Sequence, residues 1–359
     1  MTSKYTPLCW AEKACATMMN DYAPAALPPE GRWHYHQGVF LSGMKMIWEK
    51  TGNSKYLDYI QGYVDSLVQA DGSFEYRDTE LDSIQAGVLL FDLYKNSGEQ
   101  KYKIAADTLI NFLTHWKKNP VGGFWHKEIY PNQMWLDGLY MAGPFAVQYG
   151  KEFNRPELFD LVVGQAELMI QQTKDPRTGL LYHAWDQSRE AVWADPETGL
   201  SPEFWGRSLG WIGAALVDIL DYLPANHSRR NRLVELLTEF VAAIAKFQDQ
   251  ETGMWYQVVD KGSRPDNWLE HSCSCLYVYA IAKAVRKGYI GEGYRAVAEK
   301  GFAGITAMAE MDESGRVTIP EICIGTGVGD YDHYVARPRS QNDLHGVGAF
   351  LFACAEMIG

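Results

Sequence analysis

No segment of this 359-residue chain is long and apolar enough to span a bilayer. Its first residues, MTSKYTPLCWAEKACATMMNDY, lack the basic start and continuous apolar core of a secretory leader. Membrane-embedded classes are set aside, and a cytoplasmic location is expected. Basic residues are in deficit: 33 Lys and Arg stand against 45 Asp and Glu, a formal charge of −12. With no basic run to offset it, that balance argues against a nucleic-acid partner. Cysteine is sparse, and the six present (Cys9, Cys15, Cys273, Cys275, Cys323 and Cys354) follow neither a zinc-site spacing nor a disulfide framework. They read as free thiols, with Cys273 and Cys275 as packing residues of a helix. A glycine-rich phosphate loop is also missing. What remains, a chain 47% apolar with room for a large core, points to a small-molecule ligand.

Self-similarity organises the rest. A glycine followed by an aromatic or apolar cluster recurs in EGRWHY near 31, DGSFEY near 72, GGFWHK near 123, TGLLYH near 179, TGMWYQ near 253 and SGRVTI near 315. Polar residues precede each glycine, as a tight turn requires, and a short β-compatible run follows. Each copy leads into a segment rich in small residues, such as WLDGLYMAG, GRSLGWIGAAL or LHGVGAFLFACA, starting near His36, Leu81, Trp135, Phe204, Glu270 and Asp343. Glycine and alanine at that density predict inner helices whose backbones approach closely. Between them lie amphipathic segments near 9–20, 55–70, 101–116, 157–172, 232–247 and 294–309. In the second of these, Tyr56, Tyr59, Ile60, Tyr63, Val64, Leu67 and Val68 share one helix face. Six outer helices alternating with six inner ones predict an all-α, single-domain toroid of helical hairpins over 1–359, an (α/α)6 barrel with short β segments in its loops. An open solenoid of helix pairs is the alternative.

The loops before the inner helices hold the residues able to do chemistry. They contain Trp33, Tyr35, Asp82, Trp125, His126, Lys127, Trp135, Asp137, His183, Trp205, Arg207 and Trp211. Aromatic faces with a few polar groups suit a sugar, whose rings present apolar C–H faces and polar rims. Asp82 in TELDSIQAG and Asp137 in MWLDGLYMAG share a Leu-Asp element at the start of successive inner helices. Each serves as a helix cap or first-turn acid, or the two form a carboxylate pair in which apolar surroundings keep one protonated. Lys127, Arg207, His126 and His183 add positive charge, which suggests an anionic ligand, with the planar fork of Arg207 suited to a carboxylate. Arg207 and Trp211 lie one helical turn apart, where stacking is the simpler reading. His34 and His36, and the Asp-His steps in DYDHY and NDLHG, lack the spacing of a zinc-protease site or a calcium loop, so no catalytic metal is expected.

The segments MWLDGLYMAGPF, GLLYHAWDQS, ADPETGLSPEFWGRSLGWIGAALVD, RPDNWLEHSCS and NDLHGVGAFL resemble glycoside hydrolase family 105, the unsaturated rhamnogalacturonyl hydrolases, and more distantly the family 88 unsaturated glucuronyl hydrolases. The resemblance covers nearly the whole chain. It implies a six-hairpin α/α barrel that needs no cofactor and acts on small acidic oligosaccharides bearing a 4,5-unsaturated uronic acid at the non-reducing end. For this chain that means an unsaturated galacturonyl unit on a rhamnogalacturonan-derived disaccharide of pectin breakdown. An unsaturated glucuronyl substrate is the alternative, and a non-catalytic sugar-binding protein the alternative of another class. Carried over by motif, Asp137 is the acid/base, Asp82 a second acid near the reacting ring, and His183 a third catalytic residue that orients groups around carbon 4 or the attacking water. Tyr35, His126, Lys127, Trp135, Trp205, Arg207 and Trp211 contact substrate, with Arg207 and Lys127 neutralising the uronate. A monomer or homodimer is expected.

Overall fold

In the computed structural model, which describes residues 4–358, the two kinds of segment alternate as helices. The amphipathic set is α1 (Pro7–Asp21), α3 (Ser54–Leu67), α5 (Gln100–Thr114), α7 (Glu157–Thr173), α9 (Arg230–Ala245) and α11 (Arg295–Met308). The small-residue set is α2 (Tyr35–Thr51), α4 (Val88–Ser97), α6 (Leu136–Glu152), α8 (Gly206–Tyr222), α10 (His271–Arg286) and α13 (Leu344–Met357). A short α12 (Tyr331–Val335) sits in the last long loop. Helix α3 buries Tyr56, Tyr59, Ile60, Tyr63 and Val64 on one face, as an outer helix should. Helix α6 is buried on all sides from Leu136 to Gly150, which is the mark of an inner one.

The inner set closes into a ring. α2 packs on α13, α13 on α10, α10 on α8 and α8 on α6. α6 then packs on two 3-10 turns, Leu81–Ser83 and Gln85–Gly87, which return to α2. At the closing seam Gly348 touches the α2 backbone so closely that a Cβ there would lie 2.5 Å from the Val39 carbonyl oxygen. The open solenoid is thereby excluded. One inner element departs from expectation: the helix foreseen from Leu81 begins as those two 3-10 turns, and α4 starts only at Val88. The tighter turns press Gly87 against Leu109 and Phe145, where a Cβ would meet their side chains at 2.7 and 2.8 Å.

The inner helices run parallel. Residues from the first turns of α2, α6 and α8, namely Tyr35, Asp137 and Arg207, line one cleft. Lys45, Gln148, Asp218, Lys283 and Glu356, from the later halves of α2, α6, α8, α10 and α13, line a second cavity of about 290 Å³ at the other end. Charges in that rear cavity are already paired, Lys283 with Asp218 and Asp221 at 2.6 Å each and Lys45 with Asp92 at 2.6 Å. The front cleft therefore collects helix N-termini, the positive ends of their dipoles, which favours an anionic occupant. All six cysteines are free thiols, and Cys273 and Cys275 are fully buried in α10.

Candidate active site

Backbone hydrogen bonds join the starts of four successive inner elements, at Leu81, Leu136, Gly206 and His271, to the loop of the next hairpin. Gly122 and Gly179 adopt φ of 93° and 81°, which side-chain-bearing residues rarely reach, and His126 and His183 each follow four residues later. The Leu81 amide donates to the His126 carbonyl at 3.1 Å, and the Leu136 amide to the His183 carbonyl at 3.0 Å. Just before Leu136, strand β1 (Gln133–Trp135) pairs antiparallel with β2 (Ala184–Asp186). The two Leu-Asp elements thus occupy equivalent places in successive repeats: Asp82 stands beside His126 and Lys127, and Asp137 beside His183. In the next repeat the Gly206 amide donates to the Gln257 carbonyl at 2.8 Å, which sets Arg207 at the third such position.

These residues surround a cleft of about 350 Å³. Of the sequence-predicted residues, Tyr35, Asp82, His126, Lys127, Trp135, Asp137, Trp205 and Arg207 line it. His183 and Trp211 do not. Trp211 is buried, stacked on Tyr140 at 4.7 Å with Tyr35 edge-on at 6.5 Å, so it floors the cleft from beneath and separates it from the rear cavity. Trp33 is also core, donating from Nε1 to the Ser83 carbonyl. Sequence reasoning missed Tyr130, which stacks on Trp135 at 4.8 Å, and the loop residues Gly325, Thr326, Gly327 and Arg337.

The two carboxylates sit in opposite settings. Asp82 is buried, and burial alone would raise its pKa. The Lys127 ammonium at 2.6 Å, with His126 and His34 nearby, outweighs that and holds it at about 2. Asp82 is therefore permanently ionised near neutral pH. Lys127 also pairs with Glu80 at 2.8 Å, so it is engaged by two carboxylates of the protein. That corrects the expectation of a cation held ready for the uronate. His126 stacks flat on Trp135 at 4.5 Å and is brought down to about 4, first by burial, then by Lys127 working against Asp82. It is neutral at pH 7 and adds no positive charge, a second correction.

Asp137 lies in the first turn of α6, 9% exposed, and does not cap the helix; the capping position is Trp135. His183 lies behind it, fully buried, with Nε2 3.1 Å from Asp137 Oδ2. Since an ionised carboxylate only accepts, Nε2 carries the proton, and Nδ1 accepts from the Tyr334 hydroxyl at 2.6 Å. The Tyr334 oxygen in turn accepts from the Gly329 amide at 3.2 Å. Burial keeps that phenol protonated, since it pushes the pKa well above the ordinary value. The chain of donors runs Gly329, Tyr334, His183, Asp137, and ends on an atom in the cleft wall. Burial raises the pKa of Asp137, but the hydrogen bond donated by His183, with the two imidazoles of His183 and His126 beside it, more than offsets that, leaving the carboxyl below the usual range. The expectation that apolar surroundings keep it protonated fails, because its nearest neighbour is a hydrogen-bond donor and not a hydrocarbon wall.

Arg207 is 1% exposed. Its Nη1 donates to the Cys323 carbonyl and its Nη2 to the Ile324 carbonyl at 2.8 Å, while the guanidinium stacks on Trp205 at 4.5 Å. It is a fixed positive charge with two donor groups already occupied. Among the described residues two groups of side chains lie close enough to share a cation, His34 with Glu80 and Asp82, and His36 with Asp343 and His345. In the first, the Lys127 ammonium already sits against both carboxylates. In the second, His345 Nδ1 faces Asp343 at 2.8 Å. Neither group includes Asp137.

Known proteins resemble this chain in sequence and fold. The sequence pattern of Glycosyl Hydrolase Family 88 matches residues 10–359. Unsaturated rhamnogalacturonyl hydrolase YesR of Bacillus subtilis (strain 168) is 28% identical over 329 residues, 89% of this chain and 88% of its own. The structure of a family 105 glycoside hydrolase from C. acetobutylicum ATCC 824 superposes with a TM-score of 0.92 at 36% identity, covering 97% of this chain and 98% of that one. An unsaturated glucuronyl hydrolase from Bacillus sp. GL1 shares the fold, with a TM-score of 0.71 at 14% identity over 97% of this chain and 94% of its own. The chain belongs to glycosyl hydrolase family 88, in the branch that takes in family 105, and is a glycoside hydrolase of the unsaturated glycuronyl hydrolase type.

Proposed function

We propose that the protein, acting as one catalytic domain, releases a 4,5-unsaturated galacturonyl unit from the non-reducing end of rhamnogalacturonan-derived disaccharides, with Asp137 as the only proton carrier. The observation that carries this reading is the carboxylate of Asp137, exposed to the cleft by 9% and fixed from behind by His183. The unsaturated uronate is an enol ether conjugated to a carboxylate. Asp137 in its acid form delivers a proton to carbon 4, and positive charge develops at carbon 5 and the ring oxygen. Water adds to carbon 5 and gives its proton to the Asp137 carboxylate, which restores the acid. The resulting hemiketal opens and expels the neighbouring sugar, so the glycosidic bond breaks through hydration of the alkene. No paired-carboxylate displacement is involved, and carboxylate separation has no bearing on the outcome.

The acid form arises in the complex. An incoming carboxylate places negative charge beside Asp137, and a sugar filling the cleft removes water; both raise the proton affinity of a carboxyl. Asp82, locked as an anion, stabilises the developing positive charge. His183, sealed from the cleft, positions Asp137 and does not touch substrate. The helix N-termini and the fixed charge of Arg207 favour the uronate. The galacturonyl choice follows the activity named for YesR; an unsaturated glucuronyl substrate is the second reading. Five buried free thiols suit a reducing cytoplasm.

A panel of lyase-produced unsaturated disaccharides, followed by loss of their ultraviolet double-bond absorption, tests the proposal. The expected result is fastest turnover of the galacturonyl-rhamnose member and none of its saturated counterpart. Turnover of saturated sugars alone overturns the reaction class, and tight binding with no turnover favours a sugar-binding protein.

A further inference from the structure

The segment 324–338 leaves the barrel and returns. Strand pairing of Ile322 with Ser340 and Cys323 with Arg339 pins its base. It crosses the front cleft: a Cβ on Gly325 would lie 4.0 Å from the Tyr35 hydroxyl, and one on Gly327 3.8 Å from Trp135 Cη2. Two arginines hold three consecutive carbonyls where this segment leaves its base, those of Cys323, Ile324 and Gly325. From within the barrel Arg207 takes Cys323 and Ile324, and from the far end of the segment Arg337 Nη2 donates to Gly325 at 2.6 Å.

The two differ in what is left over. Both line the cleft, but Arg207 is almost fully buried in its wall, whereas Arg337 is half-buried. Among the described residues no carboxylate lies within 4.0 Å of the Arg337 guanidinium, and its buried Nε has no hydrogen-bond partner. Lys127, the other partly exposed cation of the cleft, is neutralised by Glu80 and Asp82. A half-buried guanidinium with a donor unmet and no counter-charge is costly unless an anion completes it. Its planar fork matches the oxygens of a carboxylate or sulfate.

The direction of the substrate says which anion. The reacting ring must lie against Asp137, at the helix starts, where Arg207 is within electrostatic reach of Asp137. Arg337 rides on the segment that crosses the cleft, and it is more exposed than Arg207. An enzyme that takes the terminal unit inward leaves the released sugar on that side. We propose that Arg337 is an anion subsite for the leaving sugar, gripping a carboxylate or a sulfate ester carried on it; this rests on the hydrolase reading above and narrows its substrate class.

The test uses three disaccharides with one unsaturated uronate and three leaving sugars: a neutral one, the same sugar bearing a sulfate ester, and a uronic acid. The quantity read is the ratio of kcat/KM for each anionic member to that for the neutral one. Arg337→Ala is expected to lower that ratio by about tenfold or more, mainly through KM, and Arg337→Lys by less. The anionic member whose ratio falls further identifies the source. A ratio unchanged by Arg337→Ala, or an equal loss with all three, overturns the subsite. Calorimetric titration of the same disaccharides into Asp137→Asn protein, with and without Arg337→Ala, reads the same selectivity with no turnover. If the wild type removes the double bond from none of them, the hydrolase reading fails, and this titration still decides the subsite.

Discussion

Replacing Asp137 by Asn should slow loss of the substrate's ultraviolet band by at least about a hundredfold, the ordinary reach of a positioned general acid. The amide has the same shape, and its oxygen still accepts the His183 Nε2 proton that now reaches Asp137 Oδ2 at 3.1 Å. Fold and binding should therefore survive, with the melting temperature within a few degrees of wild type. What disappears is the exchangeable proton. Asp82 cannot substitute for it, because Lys127 at 2.6 Å keeps that carboxyl ionised down to about pH 2. Turnover of the Asn variant near the wild-type rate would remove Asp137 from the chemistry.

The second large effect is expected from His183→Leu. This change deletes the donor that holds the Asp137 carboxylate and leaves the Tyr334 hydroxyl without its acceptor. Orientation is lost, and kcat should fall by roughly ten- to a hundredfold. The direction of the pH dependence is the sharper readout. The His183 hydrogen bond is the largest of the influences that lower the Asp137 pKa, so its removal raises it. The active form is the protonated acid, whose rate falls as pH climbs through its pKa in the complex. The basic limb of the kcat profile should therefore move to higher pH in the variant. Tyr334→Phe weakens the same chain one step further back and should shift that limb less, in the same direction. A purely structural role would lower kcat at every pH and leave the limb where it was.

The sequence exposed the frame of this site and part of its contents. Glycine turns recur because each hairpin must reverse before its inner helix, and small residues mark the helices because only they let six backbones close a ring. Both constraints are local in the chain. From them the starts of α6, α8, α10 and α13 follow to within two residues, and so do the equivalent places of Asp82 and Asp137. Partnership across the ring was not legible. Tyr334 meets His183 from 151 residues away, in a segment with neither helical nor strand periodicity. Glu80 and Lys127 meet through a single antiparallel bridge. Glu80 stands just before the 3-10 turn that carries Asp82, and nothing in the sequence marks it as the second carboxylate on Lys127. Burial likewise reverses sign-based readings: His126 counts as a base in the sequence and stands neutral against Trp135 in the fold.

That Asp137 hydrates an alkene, and does not displace a glycosidic oxygen, is the claim on which the roles of every neighbouring side chain depend. Turnover in deuterated water, followed by magnetic resonance of the released keto-sugar, tests it most directly. The account predicts one deuterium newly bonded at carbon 4. A product carrying only hydrogen of its own at that carbon would contradict it.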